Sequence, residues 1–186
     1  MNRFLIFCLS IVFCLYVYAN IGILYPIQIQ TAKAVPYMSI QKFFNGEIIG
    51  WGVVKKWNGV MKNMIHLKIT GTWTDNVGNI IQHIKLDNDE NIELDWKIKI
   101  DNKNSYTIMA KHCIPRSSGF QHGNISSFSC KTRSMKNGRV GDYTFETMMY
   151  LVDKHNMLAN TKIKRYGFVI GSVVFNLQHV LTNEKI

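Results

Sequence analysis

Apolar residues recur at every second position through most of this chain. Ile65, Leu67, Ile69 and Gly71 alternate with Met64, His66, Lys68 and Thr70, the period of a strand with one apolar face. Trp96-Lys97-Ile98-Lys99-Ile100 repeats the pattern with lysines on the wet face. The chain is therefore expected to form strands over residues 47–57, 63–73, 80–86, 91–100, 105–113, 124–132, 143–152, 158–166 and 168–179. The last does not alternate strictly: Val169, Ile170, Val173, Val174 and Phe175 imply burial on both faces or a bulge.

Between these runs stand turn residues. Asn58-Gly59, Asn76 to Gly78, Asp87 to Glu90, Asp101 to Asn104 and Lys136-Asn137-Gly138 tolerate left-handed backbone or bond their own main chain. Strands joined so tightly pair antiparallel, since parallel pairing needs a crossover of a dozen residues or more. No amphipathic run of helical length intervenes. The expected fold is all-β, a single antiparallel up-and-down β-barrel of eight to nine strands, closed so that no strand edge stays exposed.

The chain opens differently. MNRFLIFCLSIVFCLYVYA has a cationic start at Arg3, an apolar stretch from Phe4 to Tyr18 and a small-residue end at Ala19, the pattern of an export signal. Apolar residues resume after Asn20, so an uncleaved anchor from Phe4 to Ile27 is the alternative. Lipidation finds no support, because bulky residues precede Cys8 and Cys14. The domain reading is residues 1–19 signal peptide or anchor, 20–38 an N-terminal tail and 39–182 the barrel. The expected location is periplasmic, free or held to the inner membrane by the N-terminal segment.

The formal net charge is +10, and removing the leader takes away one cation, Arg3. Such a surface attracts polyanions and anionic headgroups without specifying a partner, and the export signal argues against nucleic acid. The lysines are scattered, as on a solvated face. Past the leader only Cys113 and Cys130 remain. In an oxidising compartment they are a candidate disulfide; the alternative is two small buried hydrophobes on separate strands.

Chemistry-bearing motifs are few. No HExxH or short-spaced His/Asp set marks a metal site, and no GxSxG marks a nucleophile. No metal, cofactor or catalytic residue is assigned. Convergence of His112 and His122 across their loop would supply two metal ligands, which without a nearby carboxylate do not make a zinc site. Glu146 is read as an outward acid, with an inward one of raised pKa as the alternative. Trp51, between Gly50 and Gly52, is expected to plug one end of the barrel at a sharp bend. The segment CIPRSSGFQHGN from Cys113 to Asn124 reads as a loop or a lid over the mouth, with Arg116 placed to meet a carboxylate or headgroup.

The FFNG at Phe43 to Gly46 followed by Gly50 and Gly52, then Gly71-Thr72-Trp73, Trp96, Tyr106 with Ala110, Gly119, and Gly123-Asn124 resemble the DUF3833 family of exported bacterial proteins. Met149 to Asp153, Asn160 and Lys164-Arg165-Tyr166-Gly167-Phe168 with Gly171 extend that resemblance across residues 42–180. It implies a lipocalin-like, or calycin-like, barrel and no reaction. This chain departs from the family pattern at His112, where an acid is usual, at Pro115, where glycine is usual, and at Thr147-Met148, where an Asp-Trp pair is usual.

The leading expectation is non-catalytic binding of a small apolar or amphiphilic, lipid-like molecule in the cell envelope. Trp51, Trp73, Trp96 and Phe145 would line or close the interior, and Lys111 and Arg116 would meet a headgroup at the mouth. A structural envelope protein with a packed barrel is one alternative, and an isomerase or hydrolase for a lipid-like substrate, using His112 or Glu146, is another. No protein partner is assigned.

Overall fold

A computed structural model describes residues 36–114, 116–136 and 139–180, together with residue 11; for residues 134–136, 139 and 140 it describes the backbone alone. Apart from residue 11 the expected signal or anchor lies outside the described residues, as do nearly all of the N-terminal tail and the tip of the 136–138 turn. The barrel lies within one compact unit, Thr31–Ile186.

Just before the barrel a four-residue helix, α1 (Ile40–Phe43), leads into ten strands among the described residues: β1 (Gly46–Lys56), β2 (Met61–Thr74), β3 (Val77–Leu86), β4 (Asn91–Asn102), β5 (Ser105–Met109), β6 (Ser117–His122), β7 (Ile125–Lys136), β8 (Arg139–Leu151), β9 (Asn156–Arg165) and β10 (Phe168–His179). Every strand pairs antiparallel with its neighbours in sequence, and β1 pairs with β10 to close the barrel. The meander is thus as expected, but with ten strands rather than eight to nine.

The additional strand is β6, inside the segment read as a loop or lid. Its inward residues are Ser117, Gly119 and Gln121, small or polar, so it carries no apolar alternation. That composition has a steric cause. A Cβ on Gly119 would overlap the ring of Tyr106, which faces it from β5, so β6 must be bare where β5 is bulky.

Parity fixes what points inward. Ile48 and Gly50 on β1, Leu67 and Ile69 on β2, Ile98 on β4, Met157 and Ala159 on β9 and Leu177 on β10 are buried, while Lys68, Lys85, Glu93 and Lys97 are exposed on the outer wall. An apolar inside and a charged outside is the reverse of a membrane-spanning barrel.

One end is floored. Ser39 caps α1, its hydroxyl accepting from the Lys42 amide at 3.2 Å, and Ile40, Phe43 and Phe44 are buried beneath the strands. Gln121 holds the floor from within: its Oε1 accepts from the Ile40 amide at 2.9 Å and its Nε2 donates to the Lys103 carbonyl at 2.9 Å. Gly71 makes room for the Phe44 carbonyl. The indole Nε1–H of Trp73 donates to that same carbonyl at 2.8 Å.

Candidate functional site

The opposite end of the barrel is its mouth, where the β1–β2, β3–β4, β5–β6 and β9–β10 connections lie. Inward-facing Val54, Ile84, Trp96, Phe128, Phe145, Ile163, Val173 and Phe175 are only partly buried there, whereas the floor half reaches 0 % exposure at Ile48 and Met157. Apolar side chains keep solvent access on the inner surface of the wall.

The wall is notched at the mouth, because β5 and β6 have only five and six residues. The connection between them folds over the notch. Its Cys113 is joined to Cys130 of β7, with Sγ atoms 1.94 Å and Cα atoms 5.4 Å apart, and the Ile114 amide donates to the Lys131 carbonyl at 2.8 Å. His112 packs perpendicular to Trp96, ring centres 4.4 Å apart, and Phe128 meets the same indole at 5.9 Å. Burial pushes the His112 imidazole below its usual pKa, and the Asp95 carboxylate partly opposes that shift.

Most polar groups inside are mutually satisfied. Trp96 Nε1 donates to Gln82 Oε1 at 3.1 Å, the Thr147 and Thr161 hydroxyls meet at 2.9 Å, and Tyr106 Oη meets Ser126 Oγ at 2.8 Å. The exceptions among the described residues are His112 Nε2, Arg165 Nε and, on the floor side, Asn124 Oδ1, all buried without a partner. Arg165 ends the inward row Met157, Ala159, Thr161, Ile163 of β9 and stands across from Tyr143 of β8. Its guanidinium carbon lies 5.5 Å from the Tyr143 ring centre and 5.2 Å from that of Tyr166.

The expected ligand residues separate accordingly. Trp96 and Phe145 face the mouth half of the interior, Phe145 between Cys130 and Ile163. Trp73 also faces inward but belongs to the floor. Trp51 is corrected: Gly50 and Gly52 face inward opposite Leu177 and Phe175, and both would clash with them if they carried a Cβ. Strand parity then turns Trp51 to the outer wall, 48 % exposed, so it is no plug. Lys111 and Arg116 are both exposed rather than directed into the lumen. The cation at the mouth is Arg165, which the unbroken alternation of β9 would have revealed.

Two further findings concern chemistry. His112 and His122 stand at opposite ends of β6 and do not converge; instead His112 lies beside Cys113 and Cys130, the three ligand atoms within 4.8 Å. With the sulfurs bonded to each other, no thiolate is there for a metal. Glu146 lies between inward Phe145 and Thr147, so it points outward, where Lys164 Nζ reaches it at 2.7 Å. Thr147, where the family pattern has an acid, faces the lumen and is occupied by Thr161.

No curated protein matches the chain. Among solved structures it is similar to a protein of unknown function from the DUF3598 family of Nostoc punctiforme, with a TM-score of 0.55 and 11 % identity over 78 % of this chain. The chain spans half the length of that protein, and the likeness is one of fold. A family model described as a protein of unknown function, DUF3833, matches residues 25–179, and the chain belongs to that family.

Proposed function

We propose that this barrel is a non-catalytic binding protein of the cell envelope that takes a small amphiphile, tail inward, through its mouth. The carrying observation is the contrast between a packed floor half and a mouth half whose inward apolar side chains are only partly buried, with the unsatisfied Arg165 Nε among them. Ten strands enclose a wider lumen than eight, the number that side chains or one small ligand fill. A partly exposed apolar wall with few convergent polar groups is the usual chemistry of a ligand pocket. The export signal and the Cys113–Cys130 bridge both support an envelope location.

Arg165 is the group that would meet an acidic headgroup, since its fork matches carboxylate or phosphate oxygens. Its aromatic neighbours Tyr143 and Tyr166 leave the guanidinium stacked but not neutralised. The catalytic alternative is the weaker one, because Glu146 lies outside the lumen and is paired.

Native mass spectrometry of the chain purified from its own compartment, followed by organic extraction, tests this reading. A discrete small-molecule adduct is expected, with lower occupancy in Arg165→Gln. A bare mass in the folded wild type would overturn the reading in favour of a packed structural barrel.

A further inference from the structure

We infer that the rim formed by the β1–β2 and β9–β10 hairpins docks onto an anionic lipid surface, an interaction independent of what the lumen holds. The two hairpins are neighbours, since Lys56 of β1 pairs with Gly171 of β10. Their tips carry Trp57 at 77 % exposure and Tyr166 and Phe168 at 76 % each, with Val60, Met61, Val169 and Ile170 exposed beside them. Isolated exposed apolar residues are ordinary. Three strongly exposed aromatics at the ends of two paired strands concentrate apolar surface in one sector of the rim instead.

The backbone supplies a second, independent observation. The β9–β10 turn is the two-residue pair Tyr166-Gly167, with φ +51° and +84°. Asn-Gly or Gly-Gly suits two left-handed positions, and a bulky side chain there is strained. Such a residue is not explained by the needs of the turn. One face of the ring lies near the Arg165 guanidinium, and the 76 % of the residue that stays exposed is free to meet a surface outside.

Charge selects the partner. The mouth ends of β9, β1 and β2 carry Lys55, Lys56, Lys62, Lys162 and Lys164 besides the inward Arg165, and the sequence has no acid from residue 48 to 74 or from 154 to 183. Among the described residues, only Lys164 of this set is drawn to an acid, Glu146 of β8. The β3–β4 tip, next to the β1–β2 hairpin on the side away from β9–β10 and bonded to it through Asp87, Asn63 and Met64, is acidic instead, with Asp87, Asp89 and Glu90, so the cationic sector of the rim ends at the β1–β2 hairpin. Aromatic tips ringed by lysines match the headgroup layer, where Trp and Tyr concentrate and anionic lipids attract cations. A protein partner of ordinary affinity would need a flatter patch of several hundred square ångströms rather than projecting tips.

The full-length chain is mixed with vesicles of phosphatidylcholine and a minority of phosphatidylglycerol whose acyl chains are brominated, and tryptophan quenching is read. Quenching is expected in the wild type, weaker at high salt, and mostly lost in Trp57→Phe. In Tyr166→Asn, vesicle contact read by Trp57 quenching should fall by about fivefold or more, while the thermal midpoint holds or rises because the turn gains a residue suited to it. Equal quenching in Trp57→Phe and the wild type, or full quenching in a Tyr166→Asn/Phe168→Ser double variant, would overturn the inference and assign any membrane contact to the N-terminal segment. A lowered midpoint in Tyr166→Asn would overturn the claim that Tyr166 serves contact rather than fold.

Discussion

The ring of Tyr106 lies across the backbone of Gly119 on the adjacent strand, and its hydroxyl meets Ser126 Oγ, one strand further, at 2.8 Å. Ser126 Oγ is in turn 2.9 Å from the Phe120 carbonyl, to which it donates. One side chain thereby ties β5, β6 and β7 together where the wall is lowest. Burial raises the phenol far above its usual pKa, so it stays neutral and hydrogen-bonded wherever the barrel is folded.

Gly119→Ala should therefore be among the most damaging small substitutions in the chain. The added methyl has no space, and overpacking of this kind costs about 1–3 kcal/mol. Ser126→Ala, which leaves the phenol only the Ser127 carbonyl at 3.4 Å, should cost about 1 kcal/mol. Urea unfolding midpoints measure both, and a Gly119→Ala variant as stable as the wild type would contradict this packing.

The same pair shows why the fold was legible in part. Where inward residues are apolar, as along β2 and β4, period-two alternation marks both the strand and its inner face. At β6 the inward residues are small or polar, because the bulk that fills that space belongs to Tyr106, thirteen residues earlier in the chain and invisible to a local pattern. Trp51 was misassigned for a related reason: glycines beside it suggest a bend, and only the register with Phe175 and Leu177 shows that they are gaps for those side chains. The place of Arg165 is readable from parity, at the end of the inward row of β9, whereas Lys111 and Arg116 stand in a stretch whose composition does not show which way a side chain faces. The floor helix has too few residues for any helical period to appear.

Trp73→Phe should loosen the floor without opening the wall. The ring volume is largely kept, but the Phe44 carbonyl loses the indole donor at 2.8 Å, a change of about 1–2 kcal/mol. Amide exchange at Ile40, Phe43 and Phe44 should quicken more than in β2 or β3. Uniform acceleration across the barrel would show instead that the floor unfolds only with the whole domain.

Replacing both cysteines by serine should cost about 3 kcal/mol through the freed unfolded chain. The local effect is more diagnostic. Without the bridge the 110–116 connection is held to β7 mainly by the Ile114–Lys131 hydrogen bond, so His112 should leave the edge of Trp96. Tryptophan emission of the folded double variant should change, and that change should disappear in a Trp96→Phe background. An unchanged spectrum would mean that packing, not the bridge, sets the His112 position.

Stability should fall with acid in a window that begins near neutrality. Burial holds both His112 and His179 below the usual 6.5. As pH drops through about 6.5 the unfolded chain takes up protons that the folded chain refuses. The stabilisation is therefore complete above that value and is lost below it, until the folded imidazoles themselves titrate. Asp87, held below its usual 3.8 chiefly by Asn63, and Asp153, held down chiefly by Asn156, act only in a more acidic window and do not confuse the first. His112→Gln should flatten the profile between neutrality and the carboxylate range. Asp95→Asn should steepen it, because the carboxylate that opposes the depression of His112 is gone. Urea midpoints followed across that range separate these outcomes, and an Asp95→Asn profile shallower than the wild type would reverse the sign of the coupling between the two residues.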